Sequence, residues 1–580
     1  MKEEIKKIIK KETTINLLIL LFASIFVCLP LLNKNLNIGY DDGVQHISRL
    51  MGTYQSIEEG QSFPVIMSKF CNDFGYSWNL FYSPVTAYIP LIFKIFNISF
   101  IDCIKCFMFC VVFLSGITMY FFMQEVTKNK KIALLAGILY IFAPYRFTDM
   151  YARNALAELT SFAFIPMIFQ GLYGILKEKD KREYLLIIGS ILLILTHSVI
   201  AMYTAIICLI YLLTQIKKMK IKVVRNKLII SLIFIVMITS FFLLPLLEHK
   251  NATQYEVFKP GRMERTDVLI AFKLNLSELF VTPKENIMIY EIGWATIVLL
   301  LLTPIVIKGT KKRKNTDSYR FYIFSLVIGI ICSAMTLKIF PFENLPSILK
   351  MLQFSFRLLE FSSFFFAVVA SINFVTVLNT LNKKYKNKRK VSYKDIGIVI
   401  IILMVLSLTF IPHLKFVENL NENLLWPAVP VTKNTGRVHA GCASFEYLPS
   451  KAFENRDYIA TREDKVLVIS GNAEIIDEEK SNTNLKFSVN SNEESILELP
   501  YIYYLGYKVT LNKDNNEQIE LETFETDKGF VGIKVDNINN ASINVEYSGT
   551  RLMKISSGIS TLGIILLVFR AVTKKYFKNL

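Results

Sequence analysis

Apolar runs of about twenty residues recur from position 14 to position 412, and no other feature limits the fold of this chain so tightly. A helix of that length crosses the roughly 30 Å hydrocarbon core of a bilayer. Only helices or closed barrels satisfy their backbone hydrogen bonds there. The chain is therefore expected to be an all-α polytopic membrane bundle. Its 20% of charged residues and mean hydropathy of +0.40 agree, since soluble domains carry about a quarter. Lys and Arg outnumber Asp and Glu by 66 to 48, a net charge of +18. The basic residues sit in short clusters between apolar runs, where they fix orientation, so a nucleic-acid partner is not indicated.

Taking each basic cluster as cytoplasmic gives spans near 14–33, 103–123, 132–147, 159–176, 184–197, 198–215, 228–247, 292–307, 320–338, 355–378, 395–412 and 555–572. The first reads as a retained signal anchor behind a basic start. Segment 80–96 is apolar enough to cross, but crossing would invert every later cluster, so it reads as re-entrant or interfacial, for a total of about 12–13 spans. Most of the eight cysteines lie within apolar runs, and Cys103, Cys106 and Cys110 share one helix face as packing residues. Residues 1–413 thus form a membrane domain whose first outer loop is 34–102. Residues 414–552 lose the long apolar runs and alternate in short segments (465–470, 485–490, 507–511, 530–535, 542–547) separated by turn residues. They read as an extracytoplasmic β-sandwich-like domain, followed by a final transmembrane helix and basic tail over 553–580.

Polar residues gather on the side assigned outward. If a helix runs from Asp42, then Asp42, His46 and Arg49 share one face, although Asp41 and Asp42 equally suit the N-terminus of an interfacial helix. Between two spans, Tyr145, Arg146, Asp149 and Arg153 precede Glu158, which enters an apolar run. Asp149 and Arg153 are spaced for an ion pair, whereas Arg146 has no local partner and suits a phosphate. His197 ends a span, and Gln353, Arg357 and Glu360 open another, with Arg357 and Glu360 spaced for mutual pairing. Ionisable groups are costly in a bundle, so their convergence on one side points to function. There is no Gly-rich phosphate loop followed by Lys and Ser or Thr, no GxSxG elbow and no HExxH pair, which speaks against ATP-driven transport and metalloprotease chemistry.

The run from Gly39-Tyr40-Asp41 to His46-Ile47-Ser48-Arg49, Pro144-Tyr145-Arg146 to Tyr151-Ala152-Arg153 and Glu158, Thr196-His197 and Gln353-Phe354-Ser355-Phe356-Arg357 resemble the polytopic family labelled "6-pyruvoyl-tetrahydropterin synthase related membrane protein". The chain is also similar to YfhO-like membrane proteins in Leu499-Pro500-Tyr501 to Gly506-Tyr507. No pterin-type site is visible. Both groups look like GT-C glycosyltransferases, so the resemblance implies a polyprenyl-phosphate sugar donor and an outer-face cell-envelope acceptor: a glycan, a lipid, a teichoic-acid-type polymer or a protein. In such a reaction a carboxylate takes the acceptor's proton while cations stabilise the departing phosphate. Asp41, with Asp42 as understudy, is the expected base. Arg146, Arg153, His197 and Arg357 are the expected phosphate contacts, and His46, Arg49, Tyr145, Asp149, Glu158 and Gln353 the remaining substrate-side residues. A divalent metal (Mg or Mn) on Asp41, His46 and Glu158 is compatible with these donor types. The rival readings are a transporter or flippase of lipid-linked saccharides and a non-catalytic envelope assembly protein. The topology has its own test: of single cysteines introduced as Asn434→Cys and Asn315→Cys, only the first should react with an impermeant reagent on intact cells, and labelling at position 315 would contradict the assignment.

Overall fold

The computed structural model describes residues 2–33, 41–61, 63–283, 288–309, 316–385, 445–513 and 517–576, with Gly397, Met404, Ile411, Leu414 and Cys442 as single positions. Gly39, Tyr40, Asn315, Asn434 and, apart from those single positions, the expected span 395–412 and most of 414–444 lie outside the described residues. The chain forms two compact units. One comprises Met1–Gly43, Phe93–Ile235 and Glu264–Ala428; the other comprises Val44–Ile92, Val236–Met263 and Val429–Leu580.

Among the described residues, seven helices are long and apolar enough to cross a bilayer: Lys11–Leu32, Phe100–Thr127, Leu156–Ile175, Lys222–Ala252, Asp317–Met335, Ser355–Asn382 and Arg551–Thr573. An eighth span arises if Lys130–Ile141 and Pro144–Ala152 count together, bent by 41°. Pro144 causes that bend. Its ring drives Ala143 to ψ 126° and removes a backbone donor, which stops the first helix well short of the expected 147. Other expected spans are shorter or interrupted. Arg182–Ile194 and Ser198–Thr214 have 13 and 17 residues, the 292–307 segment breaks into Trp294–Leu300 and Thr303–Gly309, and 80–96 is a series of short turns around Pro84 and Pro90.

In the first unit, Leu156–Ile175 is the central helix, with 94% of its apolar window buried. It packs against Phe100–Thr127 on one side and Arg182–Ile194 on another. The second contact is close because Gly171 has no side chain: a Cβ there would lie 2.4 Å from the backbone nitrogen of Leu186. Small residues of this kind let membrane helices approach at backbone distance. Outer helices leave apolar side chains uncovered, such as Leu232 at 62% exposure and Leu213 at 66%, as a lipid-facing surface requires.

The second unit contains two antiparallel sheets with strand orders β1-β4-β8-β7 and β2-β3-β9-β5-β6, in which β2 is Ala473–Ser481, β4 Ser495–Ile502, β6 Gln518–Leu521 and β7 Thr523–Glu525. Strands β1 (Leu467–Ser470), β3 (Asn484–Ser491), β5 (Tyr507–Asn512), β8 (Phe530–Val535) and β9 (Ile538–Tyr547) fall where alternation appears in the sequence. Both sheets feed one core through residues such as Leu497, Ile533, Phe487, Val509 and Ile543. Beside that core lies a buried ion pair. Glu498 accepts hydrogen bonds from Arg462 (3.1 Å), Tyr458 (3.0 Å) and Thr526 (2.7 Å), so no charge is left bare.

Candidate functional site in the membrane unit

The site begins with a break in regular helix. After Pro144–Phe147, residues Thr148–Ala152 form a π-helical turn in which the Arg153 N–H reaches back to the Thr148 carbonyl (2.7 Å) instead of that of Asp149. Asn154 then adopts φ 52°, a left-handed conformation that Asn tolerates, and the chain restarts as Leu156–Ile175 with Glu158 in its first turn. The Thr148 hydroxyl both donates to and accepts from the backbone of Ile289 at 2.7 Å, which fixes this wide turn in the bundle.

That geometry places Arg153 and Glu158 side by side. Arg153 Nη1 donates to Glu158 Oε2 (2.7 Å), and Arg357, far along the chain, donates from Nε to the same oxygen (3.1 Å). The Tyr145 hydroxyl donates to Glu158 Oε1 (2.5 Å). One buried carboxylate thus holds two guanidinium groups and a phenol. Arg153 extends the network outward: Nη1 lies 3.4 Å from Asp149 Oδ1, Nη2 donates to Asp42 Oδ2 (3.0 Å), and Nε stands 3.8 Å from Asp41 Oδ2. The backbone ties the same elements, because Asp42 N–H donates to the Arg153 carbonyl (3.0 Å). Phe354 and Phe356 stack at 5.0 Å and stand 5.3 and 5.4 Å from the Arg153 guanidinium, forming an aromatic wall.

Asp41 and Asp42 differ from the rest in keeping 41% and 43% of their side chains exposed, whereas Glu158 and Asp149 are sealed. Desolvation by the surrounding fold and the adjacent Asp42 push the Asp41 carboxyl up to about 6, against the opposing pull of Arg153 and Arg357. Arg357 spends Nε on Glu158 and Nη1 on the Leu352 carbonyl (2.8 Å) and Gln353 Oε1 (3.0 Å), so Gln353 positions it. Its Nη2 makes no hydrogen bond among the described residues. His197 accepts the Ile200 N–H at Nδ1 (3.3 Å), capping the Ser198–Thr214 helix. That bond requires a lone pair on Nδ1, so the ring proton resides on Nε2 as a donor. The charges of Arg357, Glu158 and Arg153 all act on this ring.

Asp41, Asp42, Tyr145, Asp149, Arg153, Glu158, Gln353 and Arg357 therefore meet within one unit, with His197 in electrostatic reach. Three expected residues do not join them. Arg146 is wholly buried against Phe162 (4.2 Å) and Tyr140 and donates to the Tyr140 carbonyl (3.1 Å), while its Nε and Nη1 find no hydrogen-bond partner among the described residues. The π turn rotates it away from Arg153 into an aromatic interior, which no phosphate can enter without repacking. Arg49 belongs to the second unit, where Asn79 accepts from both Nε and Nη2 and the Tyr82 carbonyl accepts from Nη2. His46 lies in that unit too, edge-on to Tyr82. The expected Arg357–Glu360 pair is replaced: Glu360 accepts from Ser161 (2.5 Å) and Arg357 turns to Glu158. The metal expectation meets a further obstacle, since Glu158 commits both oxygens to Tyr145, Arg153 and Arg357. Among the described residues, no three His, Cys, Asp or Glu side chains are grouped to hold an ion. Ser161 and Tyr290 escaped notice in the sequence. Ser161 stands three residues after Glu158 on the same helix face, the one available signal; Tyr290, its ring tilted 32° against Phe356 at 5.1 Å, offered none.

Fold and site together define a multi-pass membrane protein with an ionic cluster built into its helical bundle and antiparallel sheets near its C-terminus. The chain belongs to the family described as "6-pyruvoyl-tetrahydropterin synthase related domain; membrane protein", whose model matches residues 80–417, more than half of its length. A protein of Lactococcus lactis subsp. cremoris (strain MG1363), described as an uncharacterized protein, is 24% identical over 609 residues, which cover 97% of this chain and 95% of that one. Among solved structures, the Archaeoglobus fulgidus oligosaccharyltransferase in its apo form gives a TM-score of 0.44 at 12% identity. The same organism's oligosaccharyltransferase AglB, in complex with an inhibitory peptide and a dolichol-phosphate, gives 0.45 at 12%. Both likenesses cover 70% of this chain and only 55% of the other, so this chain spans about half the length of those structures.

Removing the shared carboxylate tests the geometry. Glu158→Ala takes from buried Arg357 its carboxylate partner and from buried Arg153 its nearest one, and should cost about 3–5 kcal/mol, read as a lowered unfolding midpoint of the detergent-solubilised protein. The half-exposed Asp42→Asn should cost about 0–1 kcal/mol in the same assay.

Proposed function

We propose that this protein is a GT-C-type glycosyltransferase of the cytoplasmic membrane. It moves a sugar from a polyprenyl-phosphate carrier to a cell-envelope acceptor on the outer face. The reading rests above all on one observation: the half-exposed Asp41 stands 3.8 Å from Arg153, whose guanidinium is held by the Glu158 that also anchors Arg357. A proton acceptor and fixed cations therefore sit on one scaffold.

In this reading, ionised Asp41 removes the proton from an acceptor hydroxyl as its oxygen attacks the anomeric carbon. The bond from that carbon to the carrier phosphate breaks, and the electron pair leaves on the phosphate oxygen. Arg357, through its uncommitted Nη2, and His197, through Nε2–H, donate to that oxygen as charge develops. Asp42 holds Arg153, and Glu158 holds both arginines in place before substrate arrives. A single displacement inverts the anomeric centre, because the layout gives no second carboxylate the part of a nucleophile.

With Asp41 raised to about 6, sugar transfer should lose rate roughly tenfold per pH unit below that value, where the base is protonated. Asp42→Asn removes the like-charged neighbour and should move this acid limb to lower pH. In membranes supplied with a polyprenyl-phosphate sugar, Asp41→Asn should abolish transfer without changing expression. Undiminished transfer by that variant removes Asp41 from the base role. Label that crosses vesicles with no glycosidic bond formed would replace the transferase reading with a flippase.

A further inference from the structure

Six of the eight cysteines lie on apolar helices: Cys28, Cys103, Cys106, Cys110, Cys208 and Cys332. The two others, Cys71 and Cys442, fall in segments assigned outward by charge. Both belong to the second unit. There the structure brings them together: their sulfur atoms lie 3.5 Å apart across 371 positions of chain, with 2% and 0% of each residue exposed.

Hydrogen bonds hold both the loop that carries Cys71 and the carbonyl of Cys442. On one side, Met67 and Tyr76 exchange backbone hydrogen bonds at 3.0 and 3.1 Å. This closes a loop in which Cys71, Asn72 and Asp73 hold φ of 53°, 59° and 65°, a run of left-handed residues that local preference alone disfavours. On the other side, the Tyr76 hydroxyl donates to the Cys442 carbonyl (3.3 Å) and accepts the Tyr447 N–H (3.1 Å), while the Tyr504 hydroxyl donates to the Tyr447 carbonyl (3.0 Å). A bond would bring these sulfurs from 3.5 Å to about 2.0 Å.

We infer that Cys71 and Cys442 are joined by a disulfide that ties the first loop of the second unit to the segment leading into its sheets. The oxidant is an external disulfide, of a small thiol or of a thiol–disulfide exchange protein. One cysteine thiolate attacks a sulfur of that reagent, releasing one of its thiols and leaving a mixed disulfide. The second cysteine thiolate then displaces the other thiol. The protein loses two S–H hydrogens and forms one S–S bond; two electrons and two protons end on two reagent thiols. Once folded, burial and the adjacent Cys442 push the Cys71 thiol up, so exchange precedes closure of this core. Such bonds persist in oxidising compartments, and the inference rests on the outward placement in the proposed function.

Full-length protein, acid-trapped from intact cells, is alkylated with N-ethylmaleimide under denaturing, non-reducing conditions and mapped by mass spectrometry. The expected product is one linked peptide pair carrying unalkylated Cys71 and Cys442, lighter than the two thiol peptides by two hydrogens, with maleimide on the remaining six cysteines. Alkylation of both, or linkage of either to another thiol, overturns the inference. A reductant should lower the unfolding temperature of the wild type and leave that of Cys71→Ser/Cys442→Ser unmoved; equal shifts would count against the bond. In that double variant, Asp527→Cys, at a fully exposed position, reports orientation through an impermeant maleimide on intact cells. Free native thiols with labelling at 527 defeat the disulfide alone, and free thiols without labelling defeat the outward placement as well.

Discussion

A carboxylate sealed from water, Glu158, ties together the ionic cluster of the first unit. Glu158 could not remain ionised there alone. Taking an isolated carboxylate into a low-dielectric bundle costs several kcal/mol even after relaxation. Arg153, Arg357 and Tyr145 together satisfy both of its oxygens. The dependence is mutual, since without Glu158 buried Arg357 would lose its carboxylate partner and Arg153 its nearest one. Three segments distant in sequence are thereby held in register: the turn after Pro144, the start of the Ser355–Asn382 helix and, through Arg153, the Asp41–Asp42 loop.

The outer end of this network is built differently from its base. Asp41, Asp42, Asp149 and Glu158 outnumber Arg153 and Arg357, so the cluster carries more acid than its cations neutralise. The excess falls on the two exposed aspartates, where solvent lowers its cost. Desolvation and like-charge crowding by Asp42 together raise the proton affinity of Asp41.

The sequence is most informative where one physical period dominates. Twenty-residue apolar runs reveal the long helices, and period-two alternation reveals β3 and β5, whose residues pack one face on a core. It is less informative where two demands overlap. Strand β2 (Ala473–Ser481) carries acidic residues on both faces, and β4 (Ser495–Ile502) is buried along nearly its whole length, so neither alternates. The candidate site was legible in part. Asp41, Arg153, Glu158 and Arg357 stand out as charges beside or within apolar runs, yet the pairing of Glu158 with Arg357 does not, since the two are 199 positions apart. Helical spacing misplaces Arg146 because a π turn adds a residue to the register, and it misplaces Arg49 because Asn79 and Tyr82 supply its partners.

The central claim is that Glu158 and Arg357 act as one unit, and a double-mutant cycle on stability measures this directly. Glu158→Gln, Arg357→Met and the double variant would be compared with the wild type by unfolding in detergent. A shared buried contact predicts a coupling of about 1–3 kcal/mol, with the double variant less destabilised than the sum of the singles. Additive effects, with coupling indistinguishable from zero, would mean that these side chains do not meet.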